Sequence, residues 1–167
     1  MKITLCSLDS PLGTVSFATT EGGLCALELG LTPSELQARI ARSHPSAEFQ
    51  HAALPEFASA LRAYFAGELG AIDALPVALM TGTEFQRQVW AALRRIPVGT
   101  TWTYARLARE VGRPKAVRAV GAANGANPVA LVVPCHRVVA TGGELGGYAG
   151  GLEKKAWLLQ HERARLA

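Results

Sequence analysis

Cys135 and His136 are the neighbouring residues whose types best suit covalent chemistry. The thiolate is the nucleophilic form of cysteine, and a thiol with an ordinary pKa of about 8.5 is mostly protonated at neutral pH, so it needs a base or a positive neighbour. Adjacent side chains on a strand point to opposite faces, so His136 acts only if the chain turns there, directly or through one water. Glu162, near the C-terminal end, offers a carboxylate to orient such a histidine.

The alternative to a reactive Cys135 is a buried, inert thiol, which is the commoner situation for a lone cysteine. Cys6, Cys25 and Cys135 are too few and too scattered for a disulfide framework, and the four histidines do not cluster with them at zinc-finger spacing. We therefore expect reduced thiols and no structural zinc.

The chain has no run of about 18 apolar residues, and its first residues lack the pattern of a signal peptide, so the expected location is cytoplasmic.

Charge is distributed unevenly along the chain. Residues 1–79 contain 4 Lys and Arg against 8 Asp and Glu, whereas residues 80–167 contain 13 against 5. The two parts therefore carry −4 and +8, and the sequence pI is 9.3. A basic C-terminal half suggests a polyanionic partner such as nucleic acid, although a merely soluble basic surface is the plainer alternative. We expect two domains, 1–79 and 80–167.

The N-terminal part reads as a small α/β domain. Alternating segments at 2–8, 14–20 and 24–29, separated by turn residues, predict a three-stranded antiparallel meander. Thr32, Pro33 and Glu35 predict the start of a helix with a capping box. This helix is expected to end at His44-Pro45. A second helix is expected from Pro55 to about Gly67, followed by a connection over 68–82.

The C-terminal part reads as mainly helical. A capping box at Thr83 opens a helix whose apolar stripe ends at Pro97. Short helices at 103–111 and 114–124, joined by Gly112-Arg113, are typical of a helix-turn-helix, with an ordinary helical hairpin as the alternative. A buried strand is expected over 129–133, a glycine-rich loop over 141–151, and a last helix over 152–166 with Leu152, Ala156 and Leu159 facing inward.

The second helix of this pair is almost bare of large side chains. Alanine and glycine predominate, and Lys115 and Arg118 are the exceptions. A smooth face of this kind can approach a minor groove closely, and one projecting arginine can occupy the gap left by an extruded base. Tight packing between helices explains the composition equally well.

The chain resembles the methylated-DNA–protein cysteine methyltransferases, also called O6-alkylguanine-DNA alkyltransferases. The signature is PCHRV at residues 134–138. Further motifs at the family's spacings are DSPLG (9–13), GTEFQRQVW (82–90), IPVGT (96–100), RAVG (118–121), NP (127–128), GYAGG (147–151) and KKAWLL (154–159). The resemblance covers essentially the whole chain and is densest over 82–162.

The resemblance implies a role for each matching residue. Cys135 would accept the alkyl group, His136 would reach it through a water, and Glu162 would hold the histidine. Asn127 would tie the turn between the recognition helix and the active-site strand. The remaining assignments concern DNA and the flipped base: Arg118 as the finger that fills the gap, Tyr104 beside the phosphate and as proton donor to guanine, Tyr148 and Ala149 as the pocket wall, and Thr103, Ala119 and Val138 as further contacts.

The resemblance also implies a fold and a reaction. The fold would be a ribonuclease H-like α/β domain followed by a helical domain with a winged helix-turn-helix. The partner would be duplex DNA carrying O6-alkylguanine, with O4-alkylthymine left open, bound by a monomer whose clustering on DNA is also left open. One turnover would consume the protein, with no cofactor.

Two departures from the family's pattern stand out. Ala149 occupies a position where some relatives have serine, which matters little if the contact is made by the backbone. Trp102 precedes Thr103 where serine is frequent, and the sequence offers no reason for it. Two other functions remain as alternatives: a non-enzymatic lesion binder, which would lack the nucleophilic Cys135, and a cysteine hydrolase that uses Cys135 and His136 without DNA.

Overall fold

The computed structural model describes residues 1–164, which fall into two compact units. The first unit spans Met1–Met80 and the second begins at Thr81. Over the described residues, none of the helices has the length and apolar character needed to traverse a bilayer.

The N-terminal unit is built on a four-stranded mixed sheet. Its strands are β1 (Lys2–Ser10), β2 (Gly13–Thr20), β3 (Gly23–Leu29) and β4 (Glu48–His51), in the order β3-β2-β1-β4. The first three form the expected antiparallel meander, but β4 adds to β1 in parallel. The prediction of a three-stranded sheet is therefore wrong. The added strand has only four residues and none is fully buried, so it lacks the alternation that marks a strand in sequence.

Two helices cover this sheet. α1 (Pro33–Ser43) begins with the predicted capping box, in which the Thr32 hydroxyl accepts from the Glu35 N–H and the Glu35 carboxylate accepts from the Thr32 N–H. α2 follows at Pro55–Phe65. Fully or almost fully buried side chains from the sheet and α1 form one core cluster: Ile3, Leu5, Ala18, Cys25, Ala26, Leu36 and Ile40.

Up to residue 164, the C-terminal unit contains four helices and a two-stranded parallel sheet. The helices are α3 (Glu84–Leu93), α4 (Tyr104–Glu110), α5 (Val117–Gly125) and α6 (Leu152–His161). The sheet pairs β5 (Trp102–Thr103) with β6 (Val138–Val139). Short 3₁₀ turns lie at Cys135–Arg137 and Thr141–Gly143. The capping box predicted at Thr83 is present.

Two predictions for the first part of this unit need correction. α5 begins at Val117 rather than at Pro114, which lies in the preceding turn. Residues 129–133 are buried as expected, except for the half-buried Ala130. After an isolated bridge residue at Val129 they form turns and a bend rather than a strand, and Leu131 has a left-handed φ of 75°. Apolar runs of this length do not distinguish a strand from a buried turn.

The last helix also differs from its prediction. It ends at His161, and the predicted end at residue 166 lies outside the described residues. Leu152 is 52% exposed and Ala156 is exposed, whereas Leu159 is buried as predicted. The buried face of α6 is formed by Lys155, Leu158 and Leu159, so a lysine and a leucine take the inward positions that were predicted for Leu152 and Ala156.

Candidate active site

Cys135 opens a 3₁₀ turn that carries His136 and Arg137 with it. The turn follows a hydrogen bond from the Cys135 N–H to the carbonyl of Val133, at 2.8 Å. The thiol residue is 7% exposed, and His136 is fully buried. Because the chain turns at this point, the two side chains are not constrained to opposite faces as they would be on a strand.

Glu162, the residue after α6, joins His136 and Arg137 in one buried network. Its Oε2 lies 2.8 Å from His136 Nε2, and its Oε1 accepts from Arg137 Nε at 2.8 Å. A further bond from Arg137 Nη2 to Oε2 makes the arginine–carboxylate contact bidentate. The Arg137 Nη1 donates to the carbonyl of Ile96. The resemblance implies the His136–Glu162 contact, whereas it gives Arg137 no role beyond its place in the PCHRV motif.

The protonation states of this network follow from its contacts. Burial raises the pKa of the Glu162 carboxyl, but the hydrogen bonds and charges of His136 and Arg137 outweigh it and hold the pKa at about 2. Burial lowers the pKa of His136, against the opposing pull of Glu162. A neutral His136 with its Nε2–H donated to the carboxylate leaves Nδ1 as a hydrogen-bond acceptor.

Lys155 is a buried cation that the sequence did not single out. It lies on α6 with no surface exposed, and its Nζ donates to the carbonyls of Val138 at 2.6 Å and Gly147 at 3.0 Å. Burial lowers its pKa to about 8, and negative charge on Cys135 acts in the opposite direction. Lys155 therefore links β6 to the glycine-rich loop and places positive charge within electrostatic range of Cys135.

Tyr104, the first residue of α4, lies against the glycine-rich loop. A Cβ added at Gly146 would lie 2.8 Å from the Tyr104 hydroxyl, which is a steric clash. The φ of Gly146 is +72°, a backbone conformation that also disfavours any side chain. Burial raises the pKa of Tyr104, a hydrogen bond with the Gly147 backbone lowers it, and charge on Cys135 raises it. Lys155 Nζ lies 6.0 Å from the centre of the ring.

Two asparagines hold the chain that leads to Cys135. Asn127 bridges the turn, because its Nδ2 donates to the Val133 carbonyl at 2.7 Å and its Oδ1 accepts from the Val129 N–H at 3.0 Å. Asn124, on α5, donates from Nδ2 to the carbonyl of Cys135 at 3.4 Å. Asn127 was predicted from the resemblance as the residue that ties this turn, whereas Asn124 was missed because an asparagine inside a helix carries no sequence signal.

The outward face of α5 consists of small residues and one arginine. Arg118 and Ala119 are exposed, as are Ala122 and Gly125, while Val120, Ala123 and Asn124 face inward. Small residues on the exposed face are not used to pack α5 against the rest of the described unit. Helix packing, the alternative interpretation, therefore accounts for the buried Ala123 and for Gly121, which faces the Tyr104 ring, but not for the exposed small residues.

Residues on the flanks of the site have the following positions. Tyr148 is partly buried, Ala149 is exposed and Val138 is fully buried. The Thr103 hydroxyl accepts from the Arg106 N–H, so it caps α4. Trp102, unexplained by the sequence, is 5% exposed and lies under the Arg106 guanidinium, 4.6 Å from the ring centre. Its position is thus accounted for by packing and a cation–π contact.

Comparisons with known proteins identify both units. The ribonuclease-like domain of 6-O-methylguanine DNA methyltransferase matches residues 3–79, and the DNA binding domain of the same family matches residues 84–164. These two matches define a two-domain protein with a ribonuclease-like domain followed by a DNA-binding domain. The chain belongs to the 6-O-methylguanine DNA methyltransferase family.

Individual relatives agree with this assignment. A methylated-DNA–protein-cysteine methyltransferase of Shigella flexneri is 59% identical over 102 residues, which cover 61% of this chain and 59% of that protein. One of Methanosarcina acetivorans is 43% identical over 92% of this chain and 94% of its own length. The crystal structure of Mycobacterium tuberculosis OGT in complex with DNA superposes with a TM-score of 0.80 at 37% identity, covering 98% and 93% of the two chains. The match thus spans less than two thirds of the first of these relatives and nearly all of the other two.

Proposed function

We propose that this protein repairs DNA by moving the alkyl group of O6-alkylguanine in duplex DNA onto Cys135, irreversibly and once per molecule. The observation that carries the proposal is the position of Cys135 in one turn with His136, whose Nε2 is held by the buried Glu162 carboxylate at 2.8 Å. The names of the relatives above describe the same transfer to a protein cysteine, and one of the similar solved structures is a complex with DNA.

The reaction begins with removal of the thiol proton. The Cys135 proton passes through a water to Nδ1 of His136, and the resulting imidazolium donates to Glu162. The Lys155 ammonium stabilises the thiolate that remains, which reduces the cost of a buried anion. No metal or cofactor takes part in this scheme.

The sulfur then attacks the alkyl carbon in line with the departing guanine oxygen. The new carbon–sulfur bond replaces the carbon–oxygen bond, and the electron pair leaves with guanine, to which Tyr104 donates a proton. The product is a thioether, which has no leaving group that water can displace as it would from a thioester. The protein is therefore consumed, and the ratio of alkyl groups transferred to protein molecules does not exceed one.

The alkylated base must leave the stack, because its O6 substituent is out of reach within the duplex. We assign α4 and α5 to a helix-turn-helix with β5 and β6 as its wing, and we assign the exposed face of α5, with Ala119, to the minor groove. Arg118 fills the gap left by the base. Tyr148, Val138 and the backbone at Ala149 line the pocket, and Thr103 lies beside the phosphate. Binding through lysine and arginine makes the affinity salt-dependent.

The first experiment measures transfer directly. Duplex DNA carrying radiolabelled O6-methylguanine is incubated with excess protein and then with excess DNA, and label on the protein is counted. We expect label on Cys135 at a one-to-one limit. Cys135→Ser should abolish transfer while DNA binding survives, whereas Cys6→Ser, a change at the partly exposed cysteine of the N-terminal unit, should transfer normally.

The same assay separates the alternatives. A lesion binder would bind the damaged duplex without acquiring label, and a cysteine hydrolase would turn over acyl substrates without DNA. Transfer to protein in the Cys135→Ser variant would remove Cys135 as the acceptor. Arg118→Ala should weaken reaction with duplex DNA far more than reaction with free O6-benzylguanine, and equal losses would refute its assignment to base flipping.

A further inference from the structure

Two buried acceptor atoms, on the residue bonded to the Cys135 carbonyl and on the residue after Cys135, have no hydrogen-bond partner among residues 1–164. They are Oδ1 of Asn124 and Nδ1 of His136. Asn124 is 4% exposed and His136 is fully buried, so bulk water does not solvate either atom. A buried polar atom left without a partner is destabilising, so a pair of them at one site needs an explanation.

Both atoms are acceptors, which excludes a direct bond between them. Nδ2 of Asn124 donates to the Cys135 carbonyl, so the other end of the amide must be the oxygen. Nε2 of His136 donates to Glu162, whose pKa of about 2 keeps it a carboxylate, so Nδ1 of the neutral ring carries a lone pair. Each atom therefore needs a hydrogen from a third group.

The two residues approach Cys135 from different elements. Asn124 comes from α5 and lies 3.4 Å from the Cys135 carbonyl, while His136 is the next residue of the same 3₁₀ turn. One donor with two hydrogens beside Cys135 can serve both acceptors. Water is such a donor, and buried waters typically make about three hydrogen bonds.

We propose that Asn124 is a positioning residue for alkyl transfer: its Oδ1 accepts one hydrogen of the water whose other hydrogen is donated to His136 Nδ1. The lone pairs of that water then face the Cys135 thiol. The thiol proton moves to the water oxygen as a water proton moves to Nδ1, which leaves a thiolate, a water and an imidazolium. Asn124 exchanges no proton; it fixes the orientation in which the relay works. This inference rests on the proposed function for its purpose, but it is tested without DNA.

The test measures how readily the Cys135 thiol ionises. The rate of alkylation of Cys135 by iodoacetamide is followed from pH 5.5 to 9 by mass spectrometry of the peptide that contains it, in the full chain. Asn124→Leu removes the Oδ1 acceptor at nearly constant size, together with the Nδ2 bond to the Cys135 carbonyl. Asn124→Asp keeps an acceptor oxygen but also loses that Nδ2 donor, so it separates the two losses and should keep more of the wild-type ionisation than Asn124→Leu. Val120→Ala is the control for packing, because it weakens the buried side of α5 without touching the relay.

For Asn124→Leu we expect the midpoint of the rate–pH profile to rise by about one pH unit and the rate at pH 7 to fall about tenfold, as for the loss of one hydrogen bond to the relay water. At high pH the rate should return to that of the wild type, because the thiol then ionises without the relay. Val120→Ala should keep the wild-type midpoint. An unchanged midpoint in Asn124→Leu, or a uniform loss at every pH, overturns the proposal.

A second measurement uses the unaltered protein and does not depend on the folding of a variant. In a high-resolution crystal structure, one ordered water should lie within hydrogen-bond distance of both Asn124 Oδ1 and His136 Nδ1. Separate waters, or none, overturn the proposal. Failure of the wild type to take label from O6-methylguanine DNA would refute the proposed function instead, and the two results are therefore distinguishable.

Discussion

Replacing Glu162 by glutamine tests how far the C-terminal unit depends on one buried carboxylate. Glu162 is 2% exposed and accepts from both His136 and Arg137. Glutamine keeps the shape and one acceptor oxygen but removes the negative charge. Arg137 then becomes a buried guanidinium with no carboxylate partner within the described residues, a situation that is costly in a low-dielectric interior.

The size of the effect follows from the pKa of this carboxyl. A fall from the ordinary value of 4.5 to about 2 corresponds to about 3 kcal/mol of preferential stabilisation of the charged form. Removal of one partner from a buried ion pair costs about 3–5 kcal/mol, which is of the same order. We therefore expect Glu162→Gln to lower the free energy of unfolding by about 3 kcal/mol at pH 7.

The pH dependence has a definite sign. Because the folded-state pKa of Glu162 is depressed, its contribution is complete above pH 4.5 and is lost as the pH falls toward 2. The pKa of His136 is also lowered in the folded state, so protonation of the unfolded chain below pH 6.5 adds a further loss in the same direction. The Glu162→Gln variant should lack the first of these two losses.

Tryptophan fluorescence provides the assay, because the three tryptophans, Trp90, Trp102 and Trp157, all lie in the C-terminal unit. With a urea m-value of about 1–3 kcal/mol/M, the midpoint should fall by about 1 M or more. The matched control is Glu110→Gln, since this exposed carboxylate contacts arginines only at 3.5 and 3.7 Å and should cost less than about 0.5 kcal/mol. Equal midpoints for the two variants, or a wild-type stability that stays flat between pH 4.5 and 2.5, would refute the reasoning.

Three further predictions concern the positive charge and the loop around Cys135. Lys155→Met should slow single-turnover transfer at pH 7 by roughly tenfold or more, the equivalent of about 1.4 kcal/mol, with DNA affinity unchanged; an unaltered rate would exclude Lys155 from the chemistry. Gly146→Ala should lower the stability by about 1–3 kcal/mol, because its Cβ meets Tyr104 at a left-handed φ, whereas Gly147→Ala, with nothing within 4 Å, should have a much smaller effect in thermal melts. Methylation of Cys135 should lower the urea midpoint of the wild type, because it removes the negative charge that stabilises the Lys155 ammonium, and it should leave the midpoint of Lys155→Met unchanged. An equal drop in both proteins would contradict the electrostatic coupling between Cys135 and Lys155.

Local sequence signals predicted the local structure well. Both capping boxes, at Thr32 and Thr83, are confirmed atom by atom, because each depends on residues only three positions apart. The short β4 was missed because its pairing with β1 is long-range and its alternation is weak. The strand predicted at residues 129–133 is wrong because burial alone does not specify extended backbone. The hydrogen bonds of Asn127 to both ends of this segment stabilise turns instead.

The charged groups of the site show the limit of sequence reasoning more sharply. Lys155 stands beside Lys154 in a helix with one exposed side, where the ordinary interpretation is solvated charge. Its burial depends on hydrogen bonds from Nζ to the carbonyls of Val138 and Gly147, which are distant in sequence and carry no local signal. Arg137 has the same character, since its carboxylate partner lies 25 residues away. The resemblance supplied Glu162, but not the arginine that shares it.

In the proposed reaction, that sharing decides which group stabilises the Cys135 thiolate. Arg137 shares the Glu162 carboxylate, and burial lowers the pKa of His136, so Glu162 stabilises the imidazolium of the proposed relay less than an unshared carboxylate would. A thiolate at position 135 therefore depends on the buried Lys155 ammonium for its lasting counter-charge. Alkylation removes the negative charge and leaves the ammonium buried beside a neutral thioether, and by linkage the folded state must then lose the stabilisation that the pair supplied. In the proposed mechanism, the arrangement that favours the thiolate before transfer is therefore expected to destabilise the fold after it.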